Sequence, residues 1–318
     1  MATPYADCAS RASAPCLTGT RCQAPSVSIG DALRRALGVL VSQSATPRLD
    51  AEVLLAHLLS IKRTQLYVRW NDRLGAAAAH RYRSLVQRRA AHEPVAYLVG
   101  ERAFYDIDLQ VDRRVLIPRP ETEQLVQEAL SWGQRRGEGP LRVVDVGTGS
   151  GALAVVLARH LQGARVWAVD ISREALCAAM VNLRRHGVEG RVKLVCGDLL
   201  AALRGPFELI VANLPYVSRK ALSGLSADIV AFEPLVALDG GEDGLAVIRR
   251  LLAQCPNRLA RPGLLLLEID EGQGEAVCEA VRSHLPDAET TVLRDYAGLE
   301  RVVRIERHVP AGVAGGSQ

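Results

Sequence analysis

The sequence predicts an α/β fold, in which a parallel sheet is covered by helices on both faces and is preceded by a small helical domain. From residue 141 onward, apolar stretches of strand length alternate with helical stretches, the pattern of a parallel sheet buried on both sides. Residues 28–91 repeat apolar side chains at helical spacing, and residues 96–117 repeat them at every second position, as a β-hairpin does. The 318 residues, 48% of them apolar, suffice for one large domain and one small one.

The small N-terminal domain is predicted from three runs of helical period. The first run begins at Ile29, and the others lie near residues 51–58 and 76–89. We expect them to pack into a helical bundle at residues 26–95. This segment holds eleven Lys and Arg against five Asp and Glu, which fits either solvated helix faces or a docking surface for an acidic partner.

A β-hairpin linker is predicted at residues 96–117. Ile107 and Leu109 alternate with polar residues, and an apolar triplet begins at Val115. We therefore place the turn of the hairpin between them, at residues 112–114. Two prolines then end the hairpin.

The large domain is predicted to span residues 118–308, between a disordered extension at residues 1–25 and a flexible tail at residues 309–318. It begins with a helix near Glu121, whose charge suits the first turn. Its seven strands are predicted at Arg142–Val146, Arg165–Val169, Val192–Cys196, Phe207–Val211, Leu264–Ile269, Thr291–Leu293 and Arg301–Ile305.

Bulk properties restrict the class of protein. The net charge of +4 is too small to require a nucleic-acid ligand, and no apolar run has the length of a membrane helix. The seven cysteines form no C-x-x-C pair, which favours free thiols in a reducing compartment. We therefore expect a monomeric cytoplasmic protein that does not contact a membrane.

A glycine-rich loop directly follows the first strand of the large domain. It consists of Gly147, Thr148, Gly149, Ser150 and Gly151. Glycines let the backbone turn sharply and let a ligand approach without meeting a Cβ. The G-x-G-x-G spacing and the preceding acid, Asp145, disfavour a pyrophosphate and suit a ligand that has an amino-acid end and a sulfonium charge.

Two further acids end the next strands. Asp170 lies nineteen residues beyond Gly151, where a carboxylate can accept both hydroxyls of a ribose; a helix N-terminal acid is the alternative. Asp198, in a Gly-Asp pair after the third strand, is placed to bind an adenine amino group, although Gly-Asp is also common in turns.

The tetrapeptide Asn213-Leu214-Pro215-Tyr216 follows the fourth strand and indicates the chemistry. An amide nitrogen is a poor nucleophile because its lone pair is delocalised into the carbonyl. The Asn213 side-chain oxygen and the Leu214 carbonyl can accept its two hydrogens, and Tyr216 can lie against a flat group. Pro215 biases Leu214 toward an extended conformation. In isolation such a tetrapeptide is usually a turn. No histidine lies in these loops, and we predict no metal site.

These residues resemble the HemK/PrmC family of protein-(glutamine-N5) methyltransferases. The resemblance covers most of the chain after residue 26, and its most specific part is the stretch Ile-Pro-Arg-Pro-Glu-Thr-Glu at residues 117–123. It extends to residues 94–100, Phe104, and residues 115–116, 145–151, 233–234, 237–241, 243–245 and 297–298. It implies a Rossmann-like, seven-stranded class I methyltransferase domain, with an N-terminal domain that recognises the substrate.

The resemblance also implies ligands and roles. The methyl donor is expected to be S-adenosylmethionine, held by residues 147–151, Asp170, Asp198 with Leu199, and Asn213. The substrate is expected to be the glutamine of the Gly-Gly-Gln motif in peptide-chain release factors, with its amide held by residues 213–216.

One departure leaves alternatives open. The family usually has Asn-Pro-Pro-Tyr, whereas Leu214 replaces the first proline here, and Asn-Leu-Pro-Tyr is also typical of rRNA adenine dimethyltransferases. An N-methyltransferase acting on adenine in rRNA or DNA is therefore the main rival. It would need a base-binding module or a strongly basic groove, and we expect no direct nucleic-acid binding. A nucleotide-dependent oxidoreductase and a non-catalytic binding protein are further alternatives.

Overall fold

The computed structural model describes residues 27–137 and 139–309. The extension predicted at residues 1–25 and residues 310–318 of the predicted tail lie outside this described part. Within it, no helix is both long enough and apolar enough to cross a membrane.

Residues 27–100 contain five helices, of which the sequence predicted three. These are α1 (Ile29–Leu40), α2 (Pro47–Leu59) and α4 (Ala76–Ala90); the short helices α3 (Arg63–Val68) and α5 (Val95–Val99) were not predicted. Ser28 caps α1 by accepting a hydrogen bond from the Asp31 N–H, as N-cap serines do. Fully buried leucines from three helices, Leu40, Leu54 and Leu66, form the centre of the bundle. The two-residue strands β1 (Val27–Ser28) and β2 (Arg73–Leu74) pair antiparallel at its edge.

The hairpin pairs β3 (Glu101–Phe104) with β4 (Ile107–Gln110), and its turn lies at residues 105–106. The prediction of a turn at residues 112–114 between two strands was wrong. Tyr105 enters the turn with a φ of +54°, a conformation that no Gly or Asn in the sequence signals. Residues 115–117 form no strand because side chains satisfy the backbone there: the Ile117 N–H donates to the Glu233 carboxylate at 3.2 Å.

A sheet of seven strands forms the large domain and confirms the predicted fold class. Its strands are β5 (Leu141–Val146), β6 (Ala164–Asp170), β7 (Val192–Cys196), β8 (Phe207–Ala212), β9 (Leu259–Glu268), β10 (Ala288–Arg294) and β11 (Glu300–Arg307). The spatial order is β10-β11-β9-β8-β5-β6-β7. Strands β5 to β9 are parallel, and β11 runs antiparallel between β9 and β10.

Helices cover both faces of this sheet. They are α6 (Glu123–Arg136), α7 (Ala152–His160), α8 (Arg173–Arg185), α9 (Arg219–Leu222), α10 (Ala227–Phe232), α11 (Ala246–Gln254) and α12 (Gly274–His284). Adjacent residues of β5 point to opposite faces: Val143 packs with α6, α7 and α8, and Val144 packs with α11 and α12. This alternation gives two cores, one on each side of the sheet.

The topology brings the predicted loops to one edge. The chain leaves β5 toward β6 on one side, and β8 lies on the other side of β5. Ligands of open parallel sheets bind at such a switch point, beyond the carboxyl ends of the strands. Asp170 is the last residue of β6, and the glycine loop, Asp198 and Asn213 follow the carboxyl ends of β5, β7 and β8 at the same edge.

Candidate functional site

A cavity of about 500 Å³ opens at the carboxyl edge of the sheet, a size typical of small-molecule sites. Residues 114–118 and 234–239 supply walls outside the sheet. Ten of the residues predicted from sequence line the cavity: Gly147, Thr148, Gly149, Ser150, Asp170, Asp198, Leu199, Asn213, Leu214 and Pro215. Gly151 and Tyr216 do not line it.

The glycine loop is held close to β6 and to the Asn213 loop. Gly147 has a φ of +75°, and its N–H donates to the Val169 carbonyl at 2.8 Å. A Cβ at this position would lie 3.2 Å from the Leu214 side chain. Gly151, with a φ of +81°, would place a Cβ 3.2 Å from that of Ala179. Gly151 therefore serves the packing of α7 on α8, whereas Gly147 shapes the cavity.

Asp145 contributes a buried acceptor to the cavity. Its Oδ2 accepts the Thr148 hydroxyl at 2.6 Å and the Ala154 N–H at 3.1 Å. Its Oδ1 is buried and has no partner among the described residues. Burial raises the pKa of Asp145 to about 7, although these two hydrogen bonds oppose the shift. From sequence, Asp145 was recognised only as the acid that precedes the loop.

Asp170 bridges the glycine loop and the start of α8. Its two oxygens accept the Gly149 and Ser172 N–H groups, each at 2.9 Å. Burial raises its pKa, and the same hydrogen bonds oppose this. Each carboxylate oxygen has two lone pairs, so Asp170 can still accept hydroxyls from a ligand in the cavity.

Asp198 lies at the outer wall of the cavity. It pairs with Arg250 of α11, which also lines the cavity and which the sequence did not indicate. The adjacent Leu199 is buried and has a φ of +53°. Because Asp198 is partly exposed and already paired, it is a weaker ligand-binding group than Asp170.

The Asn213 loop lines the cavity and contains two oxygen atoms that the described chain does not use. The Nδ2 group of Asn213 donates to the Thr122 hydroxyl at 3.0 Å, and no described residue donates to Asn213 Oδ1. The Leu214 carbonyl likewise accepts no hydrogen bond from the described chain. Both oxygens therefore remain available as hydrogen-bond acceptors. Leu214 itself is buried, which holds its backbone in place.

Tyr216 lies behind the cavity. Its hydroxyl donates to Glu268 Oε1 at 3.3 Å, and its carbonyl accepts from Gln273 Nε2 at 2.9 Å. Its ring packs against the core on the α11 and α12 side, and burial raises its pKa. The structure therefore does not bring the ring of Tyr216 to the cavity wall, where it could lie against a flat ligand.

Thr122 and Glu268 complete the site and were missed as functional residues. Both side chains are buried, and Thr122 lines the cavity. Burial raises the pKa of Glu268 to about 7, and the nearby Thr122 hydroxyl, the charge of Arg301 and the Tyr216 hydroxyl oppose this rise. The sequence gave a signal only for Thr122, which belongs to the specific stretch at residues 117–123.

Glu233 holds the cavity wall at residues 234–239 against the segment that precedes α6. This buried carboxylate accepts the Ile117 N–H at 3.2 Å and the Arg119 guanidinium at 2.5 Å. Beyond it, Leu235 and Val236 project at the cavity mouth with exposures of 61% and 56%. Within residues 27–137 and 139–309, no group of three or more His, Cys, Asp or Glu is arranged to hold a metal.

Two families match successive parts of the chain. The family described as PrmC N-terminal domain matches residues 31–100, and the one described as Methyltransferase small domain matches residues 134–232. The first match covers the helices α1 to α5, and the second covers the strands β5 to β8 with their loops.

Relatives match over almost the whole chain. The release factor glutamine methyltransferase of Moorella thermoacetica is 44% identical over 275 residues, which are 85% of this chain and 96% of that protein. The protein of the same name from Deinococcus radiodurans is 42% identical, over 82% of this chain and 92% of its own length. The solved catalytic domain of hMettl16, in complex with an RNA hairpin, matches 74% of this chain and 83% of its own with a TM-score of 0.52 and 13% identity, a likeness of fold alone.

Proposed function

Because this chain belongs to the family of release factor glutamine methyltransferases, we propose that it methylates a glutamine side-chain amide in peptide-chain release factors. The proposed donor is S-adenosylmethionine, and the proposed target is the N5 nitrogen of the Gly-Gly-Gln glutamine. The observation that carries the proposal is the pair of free acceptors, Asn213 Oδ1 and the Leu214 carbonyl, beside a cavity of nucleotide size.

The described residues fit S-adenosylmethionine. The orphaned Asp145 Oδ1 is an acceptor for an ammonium group, and the positive φ of Gly147 leaves room for a ligand against the backbone. Asp170 would accept the ribose hydroxyls, and Asp198 with Leu199 would contact the adenine. When bound, the donor supplies an electrophilic methyl group on a sulfonium, which leaves as a neutral thioether.

The protein prepares the nucleophile by accepting hydrogen bonds. Asn213 Oδ1 and the Leu214 carbonyl would each accept one N–H of the glutamine amide, which favours localising the nitrogen lone pair and orients it toward the donor. Positioning of this kind accounts for much of the barrier when the leaving group is already activated. The role at position 214 belongs to a backbone carbonyl, so leucine serves as well as proline.

The N-terminal helices are the proposed docking surface for the release factor. Arg81 and Arg83 are exposed on α4, within the segment that has eleven basic and five acidic residues. Contacts hold this region against the linker: Glu93 pairs with Arg113, and the Tyr97 hydroxyl donates to the Val115 carbonyl. A protein docked on these helices would thus be held in a fixed relation to the cavity. The reaction is proposed to occur in the cytoplasm, on a monomeric enzyme.

Adenine methylation is the second candidate, favoured by the Asn-Leu-Pro-Tyr sequence. The placement of Tyr216 argues against it, because an aromatic ring at the cavity wall is the usual support for a base removed from its stack. In this structure that ring packs behind the cavity, with its hydroxyl on Glu268.

Transfer of labelled methyl from S-adenosylmethionine tests the proposal. Purified release factor, the same factor with its Gly-Gly-Gln glutamine substituted, and rRNA are offered in parallel. Label on the unaltered factor alone is the expected result. Label on rRNA alone would overturn the proposal in favour of adenine methylation.

A further inference from the structure

A buried polar chain lies behind the cavity and ends at the Asn213 amide. The amide nitrogen donates to the Thr122 hydroxyl at 3.0 Å, and Thr122 lies near the Glu268 carboxylate, whose pKa it lowers. Glu268 Oε1 accepts the Tyr216 hydroxyl at 3.3 Å, whereas its buried Oε2 has no hydrogen-bond partner among the described residues. The second carboxylate oxygen is therefore available to the Thr122 proton.

The direction of this chain follows from the chemistry of its members. A threonine hydroxyl can donate or accept, so by itself Thr122 would tolerate either orientation of the Asn213 amide. An ionised carboxylate can only accept. When the free Glu268 Oε2 accepts a hydrogen bond from the Thr122 hydroxyl, Thr122 can only accept from Asn213, and the Nδ2 group must face it.

We propose that Thr122 and Glu268 are positioning residues that fix the Asn213 amide with its oxygen toward the substrate. The inference rests on the proposed function and assigns a role to the conspicuous Thr122 of the stretch at residues 117–123. With the amide reversed, Nδ2 would meet the N–H groups of the glutamine, and two donors would oppose each other. Because the chain is buried, an unmatched donor there costs more than it would in water.

The charges around Glu268 make this device sensitive to pH. Burial raises the pKa of Glu268 to about 7; Thr122, Arg301 of β11 and Tyr216 oppose the rise, and Glu121 adds to it. Below that pH the carboxyl group acquires a proton of its own to donate. Thr122 can then accept from Glu268 and donate to Asn213 Oδ1, so the preference for one amide orientation is lost. The activity should fall as the pH drops through about 7.

Substitution of Thr122 separates positioning from packing. Thr122→Val keeps the shape and removes the hydroxyl, Thr122→Ser restores it, and Thr290→Val on the edge strand β10 is the matched control. We expect Thr122→Val to lower kcat on release factor by about tenfold or more, the equivalent of one buried hydrogen bond. The affinity for S-adenosylmethionine and the KM for release factor should be unchanged, and the serine variant and the control should match the parent. An unchanged kcat, or a loss that lies in donor affinity, would overturn the proposal.

Glu268→Gln supplies the second test, at saturating S-adenosylmethionine so that donor binding does not contribute. The parent should show an acid limb of kcat near pH 7, and the glutamine variant should be slower with a flat profile between pH 6 and 8. If the variant keeps the acid limb, Glu268 does not set the orientation. The side-chain amide resonance of Asn213 gives a readout besides activity: it should shift through this pH range in the parent and not in Glu268→Gln.

These outcomes are distinct from failure of the proposed function. If the parent enzyme does not label release factor at all, the function is wrong. If the parent labels it and the Thr122 and Glu268 variants behave like the parent, the function stands and only the positioning role is wrong.

Discussion

The acceptors at Asn213 and Leu214 carry the chemical argument at the residue scale. We expect Asn213→Ala to lower kcat, because it should raise the activation free energy by about 3 kcal/mol, as for other positioned polar groups in active sites. The affinity for the donor should change little. Asp170→Ala should have the opposite effect: it should weaken S-adenosylmethionine binding more than it lowers kcat, because Asp170 lies where the ribose is proposed to bind. Calorimetry and single-turnover kinetics on both variants check this contrast. Near-normal turnover by Asn213→Ala would contradict the mechanism.

Asp145 predicts a pH dependence of donor binding. Its folded pKa is raised to about 7 by burial, so it is protonated below that pH and ionised above it. Only the ionised form pairs with an ammonium group, and the affinity for S-adenosylmethionine should therefore fall below pH 7, by up to about tenfold per pH unit. Calorimetric titrations between pH 6 and 8 measure this change. The Asp145→Asn variant should bind more weakly, without the pH dependence; a parent with a flat profile would argue against the Asp145 contact.

Some site residues could be found from the sequence and others could not. The glycine loop, Asp170 and Asn213 were predictable because each follows an apolar strand, and parallel strands bring their carboxyl ends to one edge. Thr122 and Glu268 lie 91 and 52 residues from the groups they contact, and no local pattern reports such pairs. Tyr216 was correctly placed in the loop, but the side of the loop on which its ring packs depends on tertiary contacts.

At the scale of elements, one buried carboxylate links the segment between β8 and β9 to the segment that precedes α6. Glu233 holds both the Ile117 N–H and Arg119, and so joins the wall at residues 234–239 to the segment that precedes α6. We expect Glu233→Ala to reduce the free energy of unfolding by roughly 2 kcal/mol, because it leaves a buried donor unpaired. The partial exposure of Arg119 reduces the charge contribution.

Urea unfolding provides the measurement for Glu233, with Glu101→Ala as the control. Glu101 pairs with Arg185 at the surface, and loss of an exposed pair costs little. Equal effects in the two variants would show that Glu233 is not a structural clamp.

The elements show where sequence patterns are ambiguous. The central strands β5, β8 and β9 were predictable because strands buried on both faces have continuous apolar runs. The hairpin turn was misplaced because Tyr105, which takes a positive φ there, is neither Gly nor Asn. Asp112 does form a turn, in which its carboxylate accepts the Arg114 N–H at 3.0 Å. That turn exists, but it joins no strands.

At the scale of the whole molecule, the basic helices and the cavity are expected to act together on a protein substrate. Arg81→Glu combined with Arg83→Glu should raise the KM for intact release factor by about tenfold, with a smaller effect at high salt. Arg165→Glu combined with Lys193→Glu is the charge-matched control, since both residues are exposed on β6 and β7, away from these helices. Steady-state kinetics at two salt concentrations test this. Equal KM values for the two double variants would show that α4 does not bind the release factor.

The most direct test of the central claim is to locate the transferred methyl group. Release factor incubated with the enzyme and S-adenosylmethionine is digested, and the peptide that contains Gly-Gly-Gln is sequenced by mass spectrometry. The account predicts one added methyl group on the glutamine side chain, and none when the enzyme carries Asn213→Ala. A methyl group on any other residue, or an unmodified peptide beside methylated rRNA, would contradict it.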